Sequence, residues 1–405
     1  MLKIRKLLIV LIALAIFKPS PAMCSEGEPM TLREAAVFYA SVVRHVINNY
    51  VESVSIDKLL EGALHGMLNS LDPNCDYLTP KQYEEIQNQN EGKYAGIGIE
   101  VTLDDGRVKI VSPLEDAPAF NSGVKPGDFI TKVDEKPVLG MYLHDVVDLL
   151  KGDPGTNVKV GISRKDLVDF DVIVTRAIID VEPVKSEVKD DVIYIRISTF
   201  NNKTTKQIKG ALERHLAELG NKSRGIILDL RNNFGGLLEE AIGASNLFLP
   251  SGSLIVSIKG RKKDSEMKFI SQEDDQARGL PIVVLINGGS ASSSEILAGA
   301  IKYNKRGIVV GTKSFGKGSV QKVAPLSNGG AIKLTEALYY TPDGQSIDNK
   351  GIEPNIIIEQ PAEKEVDKDK KDQVPLTDKD KVKPIDYQLE QAITIIKGMK
   401  SLNTI

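Results

Sequence analysis

The sequence predicts a multidomain α/β protein with helical segments at both ends. Three observations predict it. The chain has 405 residues, more than one domain usually holds. Between residues 181 and 360, near-continuous apolar runs such as 225–230 and 282–286 alternate with helical periodicity, the pattern of strands buried on both faces. Between 91 and 177 the period changes to short strands separated by glycine and proline turns, which marks a β-rich insertion.

Composition sets several classes aside. Apolar residues make up 41% and charged residues 26%, which excludes fibrous, disordered and multi-span membrane chains. With 52 basic against 55 acidic residues, no tryptophan and 5% aromatics, nothing points to nucleic acid as a partner.

Residues 1–24 read as a secretory signal. Lys3, Arg5 and Lys6 precede an apolar run at 7–17, and Pro19, Ser20, Pro21 and Ala22 follow. That run is short of the roughly 20 residues a spanning helix needs. Cleavage after Ala22 and after Cys24 both fit the small-residue rule, and Met23 argues against a lipidated Cys24. The expectation is export to the periplasm or cell envelope of a bacterium, with membrane association as the alternative. Cys75 is the one other cysteine; it has no nearby histidine or second cysteine, so no metal is expected there.

Residues 31–90 are expected to form an N-terminal helical region that contributes to the core at 181–360. Thr31 and Glu34 have capping-box spacing, and Val42, Val43, Val46 and Ile47 recur at helical spacing. A second amphipathic run at 57–71 stops at Asp72-Pro73. Within 91–177, strands are expected at 97–101, 108–111 and 129–133, with a helix at 143–150. This stretch is similar to a PDZ domain, with Gly96-Ile97-Gly98-Ile99 at its ligand loop and Tyr94 leading into it; an unrelated small β-domain is the alternative. A PDZ domain binds a peptide as an added strand and captures its terminal carboxylate on loop N–H groups. The core at 181–360 should hold strands at 192–197, 225–230, 282–286 and 308–311 and helices at 204–219 and 295–303. Residues 361–386 are a charged linker, and 387–402 a last amphipathic helix with Leu389, Ile393 and Ile396 on one side.

The four histidines, His45, His65, His144 and His215, all fall in expected helices, so a histidine-based triad has little support. The strongest chemical signal runs from Asn287 to Ile296, where Gly288-Gly289-Ser290-Ala291-Ser292-Ser293-Ser294-Glu295 joins an apolar strand to a helix. A small-residue turn there lets the backbone bend sharply and sets a hydroxyl beside helix N–H groups that favour developing negative charge. Any one serine alone would be a helix cap. A serine nucleophile needs a base. Lys317, flanked by Gly316 and Gly318, is the core lysine set among glycines; it can act as a base only if burial lowers its pKa by about 3 units from about 10.4.

These motifs carry a resemblance. Leu71-Asp72-Pro73 with Tyr77, Gly96-Ile97-Gly98-Ile99-Glu100, Asp229-Leu230-Arg231-Asn232-Asn233 with Gly235-Gly236, the Ser-Ala-Ser-x-Ser-Glu run, and 315–321 stand in the order found in the carboxy-terminal processing, or tail-specific, proteases. Tyr339-Tyr340-Thr341-Pro342-Asp343-Gly344 and Gly351-Ile352-Glu353-Pro354 add to it. The resemblance implies a crotonase-like α/β protease core with an inserted PDZ domain that gates the site. It implies Ser292 as nucleophile, Lys317 as base, Gln321 as support for the lysine, and the N–H groups of Ser293 and Gly235 as the oxyanion hole. Alanine is usual in that family where Ser293 stands, and Ser or Thr where Cys75 stands.

The reading is therefore an exported serine endopeptidase with a Ser-Lys dyad, which takes protein or peptide substrates by their free C-terminus and needs no cofactor or metal. The helical ends fit a homodimer, and an adaptor protein stays open as a partner. A non-catalytic PDZ adaptor is disfavoured by intact Ser292, Lys317 and Gln321. A thioester-processing enzyme of crotonase type is disfavoured by the PDZ segment and by the missing acidic pair in the core.

Overall fold

A computed structural model describes residues 30–360 and 386–402, short of positions 105, 115, 116, 142, 166, 181 and 263–265. The expected signal at 1–24 and the charged linker, save Asp386, lie outside the described residues.

The chain divides into two compact units, the first ending at Ser70 and the second starting at Leu71. In the first, helices span Leu32–Asn49 and Ile56–Asn69. Thr31 and Glu34 form the expected capping box, and Ser55 caps the second helix through the Lys58 N–H. No residue of the first helix is buried, and Leu68 alone is buried in the second.

Residues 71–90, the end of the N-terminal region expected at 31–90, lie in the second unit. They hold a strand, Asp76–Leu78, and a helix, Pro80–Asn90. The strand pairs antiparallel with residues 331–333, because Tyr77 and Leu78 are apolar enough to be buried there.

The PDZ-like stretch is an antiparallel sheet of Ile99–Asp104, Arg107–Pro113, Phe129–Val133, Lys136–Pro137, Asn157–Ser163 and Phe170–Thr175. The helix Leu143–Leu150 packs on it through Val146 and Leu150 against a core that includes Val108, Ile130, Val158 and Ile162. Its entry and exit strands, Lys93–Gly96 and Ala177–Asp180, pair with each other and tie the insertion at its root. The strand expected at 97–101 starts at Ile99 instead. Gly98 takes φ +74°, and a Cβ there would lie 2.4 Å from Ala117 Cβ, so residues 97–98 form a loop that only glycine can close.

The second unit's main sheet runs, in spatial order, Val184–Lys189, Val192–Ile197, Gly225–Asp229, Ile282–Ile286, Ile308–Gly311 and Ile356–Ile357. The first pair is antiparallel and the others are parallel. Alternation along each strand feeds two cores. Ile193, Ile195, Ile226, Leu228, Val284 and Ile286 face the helices Thr204–Leu219, Leu238–Asn246 and Ser293–Tyr303. Val192, Ile227, Val283, Leu285 and Val310 face the helix Tyr387–Leu402, through its Leu389, Ala392 and Ile396. Both faces are therefore covered, which is why Ile282–Ile286 reads as an unbroken apolar run.

A second sheet joins Asp76–Leu78, Ala331–Tyr340, Leu254–Gly260 and Met267–Ile270, with Ser319–Pro325 also paired to the long strand. An ion-pair cluster fastens the C-terminal helix beside the sheet's end. Arg231 grips Asp229 through Nη2 at 2.6 Å and Asp386 through Nη1 at 2.8 Å and Nη2 at 2.7 Å, and reaches Gln388 at 3.1 Å.

Candidate active site

The strand Ile282–Ile286 delivers the chain to a turn whose serines are sorted by their hydrogen bonds. Ser290 Oγ donates to the Leu230 carbonyl at 2.8 Å, Ser293 Oγ to the Gly236 carbonyl at 2.9 Å, and Ser294 Oγ to the Asn233 carbonyl at 2.8 Å. These three hydroxyls stitch the serine turn to the Leu230–Leu237 segment. Asn287 adds to the seam: its Oδ1 accepts from Asn232 N–H at 2.9 Å and its Nδ2 donates to Asn232 Oδ1 at 2.9 Å.

Ser292 stands differently. Its backbone has φ +55° and ψ −114°, outside the wells an L-residue favours, and the helix starts at the next residue rather than at Glu295 as the sequence suggested. Such a conformation costs on the order of 1–3 kcal/mol and persists only where its surroundings enforce it. Here they do. Gly235 is pressed against the turn: a Cβ on it would lie 2.8 Å from Ala291 O, 2.9 Å from Ser292 Cβ and 3.0 Å from Ser293 N, and its φ is +104°. Ser292, Ser293 and Gly235 are thus brought together. The Ser293 N–H has no acceptor among the described residues. The Gly235 N–H is taken, donating to Asn233 Oδ1 at 2.9 Å.

Glu295 joins this turn to the lysine loop. Fully buried one turn into the helix, its carboxylate accepts four hydrogen bonds. Oε2 takes the backbone N–H groups of Ser292 at 2.8 Å and Lys317 at 2.9 Å. Oε1 takes the Ser314 hydroxyl at 2.5 Å and the Gly316 N–H at 2.7 Å. Burial pushes the Glu295 carboxyl above its usual range, against the pull of those four donors.

Lys317 is part-buried, and its amine makes no hydrogen bond or ion pair among the described residues, Ser292 included. Burial pushes that amine below the usual lysine range, and the positive charge of Lys333 pushes it the same way. Gln321 is turned elsewhere than expected. Its Nε2 donates to Ser319 Oγ at 2.7 Å and to Thr335 Oγ1 at 3.3 Å, where a register shift between Val320 and Gln321 bends the strand. Behind Thr335 lies Cys75, buried, with its Sγ 3.2 Å from both the Thr335 N–H and Asp72 Oδ2. His215 serves packing: its ring is 3.0 Å from Ser186 Oγ and 3.3 Å from Glu218.

The loop expected to hold a peptide borders a cavity of about 320 Å³. Tyr94, Gly96, Ile97, Gly98 and Ile99 line it, as do Leu150 and Thr199. The carbonyls of Ile97 and Gly98 accept from Ala119 and Leu114 at 2.9 Å, while the N–H groups of both have no acceptor among the described residues. The result is an apolar cavity with free donors at one edge, suited to a carboxylate.

Comparison with known proteins decides the family. Residues 191–358 match the model of peptidase family S41, and residues 95–174 that of the PDZ domain. The carboxy-terminal-processing protease of Bartonella bacilliformis is 40% identical over 354 residues, covering 87% of this chain and 81% of that protein. The chain belongs to peptidase family S41. Carboxy-terminal processing protease CtpA of Bacillus subtilis is 38% identical over 316 residues, 78% of this chain and 67% of its own. Among solved structures, the photosystem II D1 C-terminal processing protease matches with TM-score 0.52 and 29% identity, over 80% of this chain and 92% of that one. This S41 peptidase is a C-terminal processing serine peptidase with a multidomain α/β fold and a PDZ domain. Local sequence pointed to Ser292 and Lys317, but Thr199 and Thr335 carried no sequence signal of their own, and Asn233 stood in the 229–236 motif with no part assigned. Glu295 stood in the serine motif without an assigned part.

Proposed function

We propose that this S41 peptidase is an exported endopeptidase that cleaves with a Ser292–Lys317 dyad and selects substrates by their free C-terminus. One observation carries the dyad: a single buried carboxylate, Glu295, fixes the backbone of both Ser292 and Lys317, and the lysine it fixes has a depressed pKa. Neutral Lys317 takes the proton from Ser292 Oγ as Oγ bonds to the scissile carbonyl carbon. The oxyanion is received by the N–H of Ser293, and by that of Gly235 once it leaves Asn233. Collapse breaks the C–N bond, and the lysine ammonium returns its proton to the leaving amine. Water then attacks the acyl-enzyme as Lys317 takes its proton; collapse breaks the bond between Ser292 Oγ and the acyl carbon, frees the new carboxyl terminus and returns the proton to Oγ. Gln321 supports the lysine by fixing the strand beside it.

The free N–H groups of Ile97 and Gly98 support capture of a terminal carboxylate, and the apolar walls support an apolar last side chain. Export rests on the basic and apolar pattern of residues 3–22. The test incubates purified protein with an unstructured protein beside Ser292→Ala and Lys317→Ala. Cleavage by the wild type alone supports the dyad. Cleavage by Lys317→Ala at near the wild-type rate overturns it.

A further inference from the structure

The core keeps its aromatic side chains covered, with two exceptions. Phe200, Phe248 and Tyr339 are buried, and the other aromatic residues from 182 to 360 are half-buried, but Phe234 is 74% exposed and Phe315 67%. Single exposed apolar side chains are ordinary on a protein surface. These two are set apart by their neighbours, because both adjoin the turn that carries Ser292, from different loops. Phe234 lies between Asn233, whose carbonyl accepts the Ala291 N–H at 3.0 Å and the Ser294 hydroxyl at 2.8 Å, and Gly235, which is pressed against Ser292 Cβ. Phe315 donates its own N–H to the Ser290 carbonyl at 3.0 Å. The next residue, Gly316, donates to Glu295 at 2.7 Å and accepts from the Asn349 N–H at 2.8 Å. One loop is therefore bonded to the turn at Ala291 and the other at Ser290. In each the backbone is fixed and the ring is left in solvent. A ring on a fixed backbone has few torsions to lose, so covering it costs little conformational freedom.

We propose that Phe234 and Phe315 bracket the scissile bond as specificity-determining residues. Phe234 is the apolar wall for the side chain before the bond, and Phe315 the wall for the side chain after it. The inference rests on the Ser292–Lys317 reading, and the two sides follow from its chemistry. Gly235, next to Phe234, gives its N–H to the carbonyl oxygen, and that carbonyl belongs to the residue before the bond. Lys317, two positions after Phe315, must reach the leaving amine, and that nitrogen belongs to the residue after the bond. An aromatic face welcomes an apolar side chain and leaves a polar one short of hydrogen-bond partners, so both walls favour apolar residues. The substrate class is a chain with apolar residues on both sides of the cut. Selection at the bond is then separate from selection at the C-terminus.

Four internally quenched peptides test this. They share one Gly-Ser frame ending in Val and carry Leu-Leu, Leu-Ser, Ser-Leu or Ser-Ser at the centre, and mass spectrometry locates the cut. Values of kcat/KM are compared for wild type, Phe234→Ala and Phe315→Ala, both changes falling on exposed side chains, where substitutions disturb folding least. Wild type should prefer Leu to Ser about 10-fold at each position, the low end of what an apolar contact discriminates. Phe315→Ala should level the preference after the bond and keep the one before it; Phe234→Ala should do the reverse. Ratios taken within one variant cancel any general loss of rate. Phe315→Leu, which keeps an apolar wall, should retain most of the preference. A wild type without preference at either position, or one that cuts the Leu-Leu peptide at another bond, overturns the bracket and leaves the dyad standing. So does an alanine variant in which both preferences fall together, the opposite one falls, or all cleavage is lost. Cleavage of the Leu-Leu peptide by Ser292→Ala overturns the dyad, and the bracket with it.

Discussion

Ser292 and Lys317, twenty-five positions apart, donate their backbone N–H groups to the same oxygen of Glu295, at 2.8 and 2.9 Å. The proposed nucleophile and base are therefore registered by a shared backbone acceptor. Their side chains, which carry no mutual hydrogen bond here, are free to move as a proton passes.

Glu295→Gln should expose this arrangement. The substitution keeps volume but turns an NH2 toward two N–H donors or toward a hydroxyl and an N–H. Misplacing reacting groups by about 1 Å costs roughly 100-fold in rate, so kcat should fall by about that factor while KM moves little. Steady-state kinetics on one peptide substrate check it. An unchanged kcat would remove Glu295 from the positioning of the dyad.

The pH profile should follow Lys317. Its folded pKa is depressed, so the neutral, competent amine appears at lower pH than in a free lysine of about 10.4. Activity should rise with pH through that depressed value. Stability should also rise between it and about 10.4, since there the unfolded chain binds the extra proton. Lys317→Arg should be inactive, because a guanidinium stays protonated. His144→Ala and His215→Ala should keep the wild-type profile; a folded histidine variant without activity would sink the lysine assignment.

Gly235→Ala places a methyl 2.8–3.0 Å from Ala291, Ser292 and Ser293 at φ +104°. Losing an oxyanion donor costs about 100- to 1,000-fold in kcat, and a loss of that order is expected here. Reaction with a fluorophosphonate, followed by mass, should slow in parallel. Wild-type labelling and turnover in this variant would show that Gly235 lies outside the oxyanion hole.

Asp386→Ala should loosen the C-terminal helix. Partial burial raises the Asp386 carboxyl's pKa, but Arg231 outweighs it and holds the group below its usual range. Its contribution is therefore complete above about pH 4 and is lost as pH falls through the depressed value. Hydrogen exchange of residues 387–402 should be faster in the variant at neutral pH, and the acid-induced loosening of the wild type should be smaller in it. Identical exchange in both proteins would deny the ion pair any part in docking.

How much of this was legible depends on the distance over which each signal acts. Ile282–Ile286 was readable because burial on both faces writes an unbroken apolar run, and the Ser292 turn because glycines and serines crowd the junction of strand and helix. The second sheet was not. Asp76 pairs with Lys333 across more than 250 residues, and the long strand Ala331–Tyr340 is mostly half-buried, so its period is blurred. Gln321 illustrates the same limit within the site. The resemblance implied that it supports the lysine, while the register shift beside it and Thr335 from the neighbouring strand decide where its amide goes. Gly235 was picked out by its motif, but only the folded chain shows Asn233 occupying its N–H.

The helix Tyr387–Leu402 closes one face of the parallel sheet and, through Asp386, braces Arg231 two residues before Asn233. Every strand it covers is synthesised before it. During translation Ile227, Val283, Leu285 and Val310 have no cover until residues 389–396 have emerged, and the loop bearing Gly235 lacks its outer brace for as long. The order of synthesis therefore acts as a timer: a growing chain carries Ser292 and Lys317 first, yet cannot finish the scaffold that aligns them until the helix Tyr387–Leu402 is made.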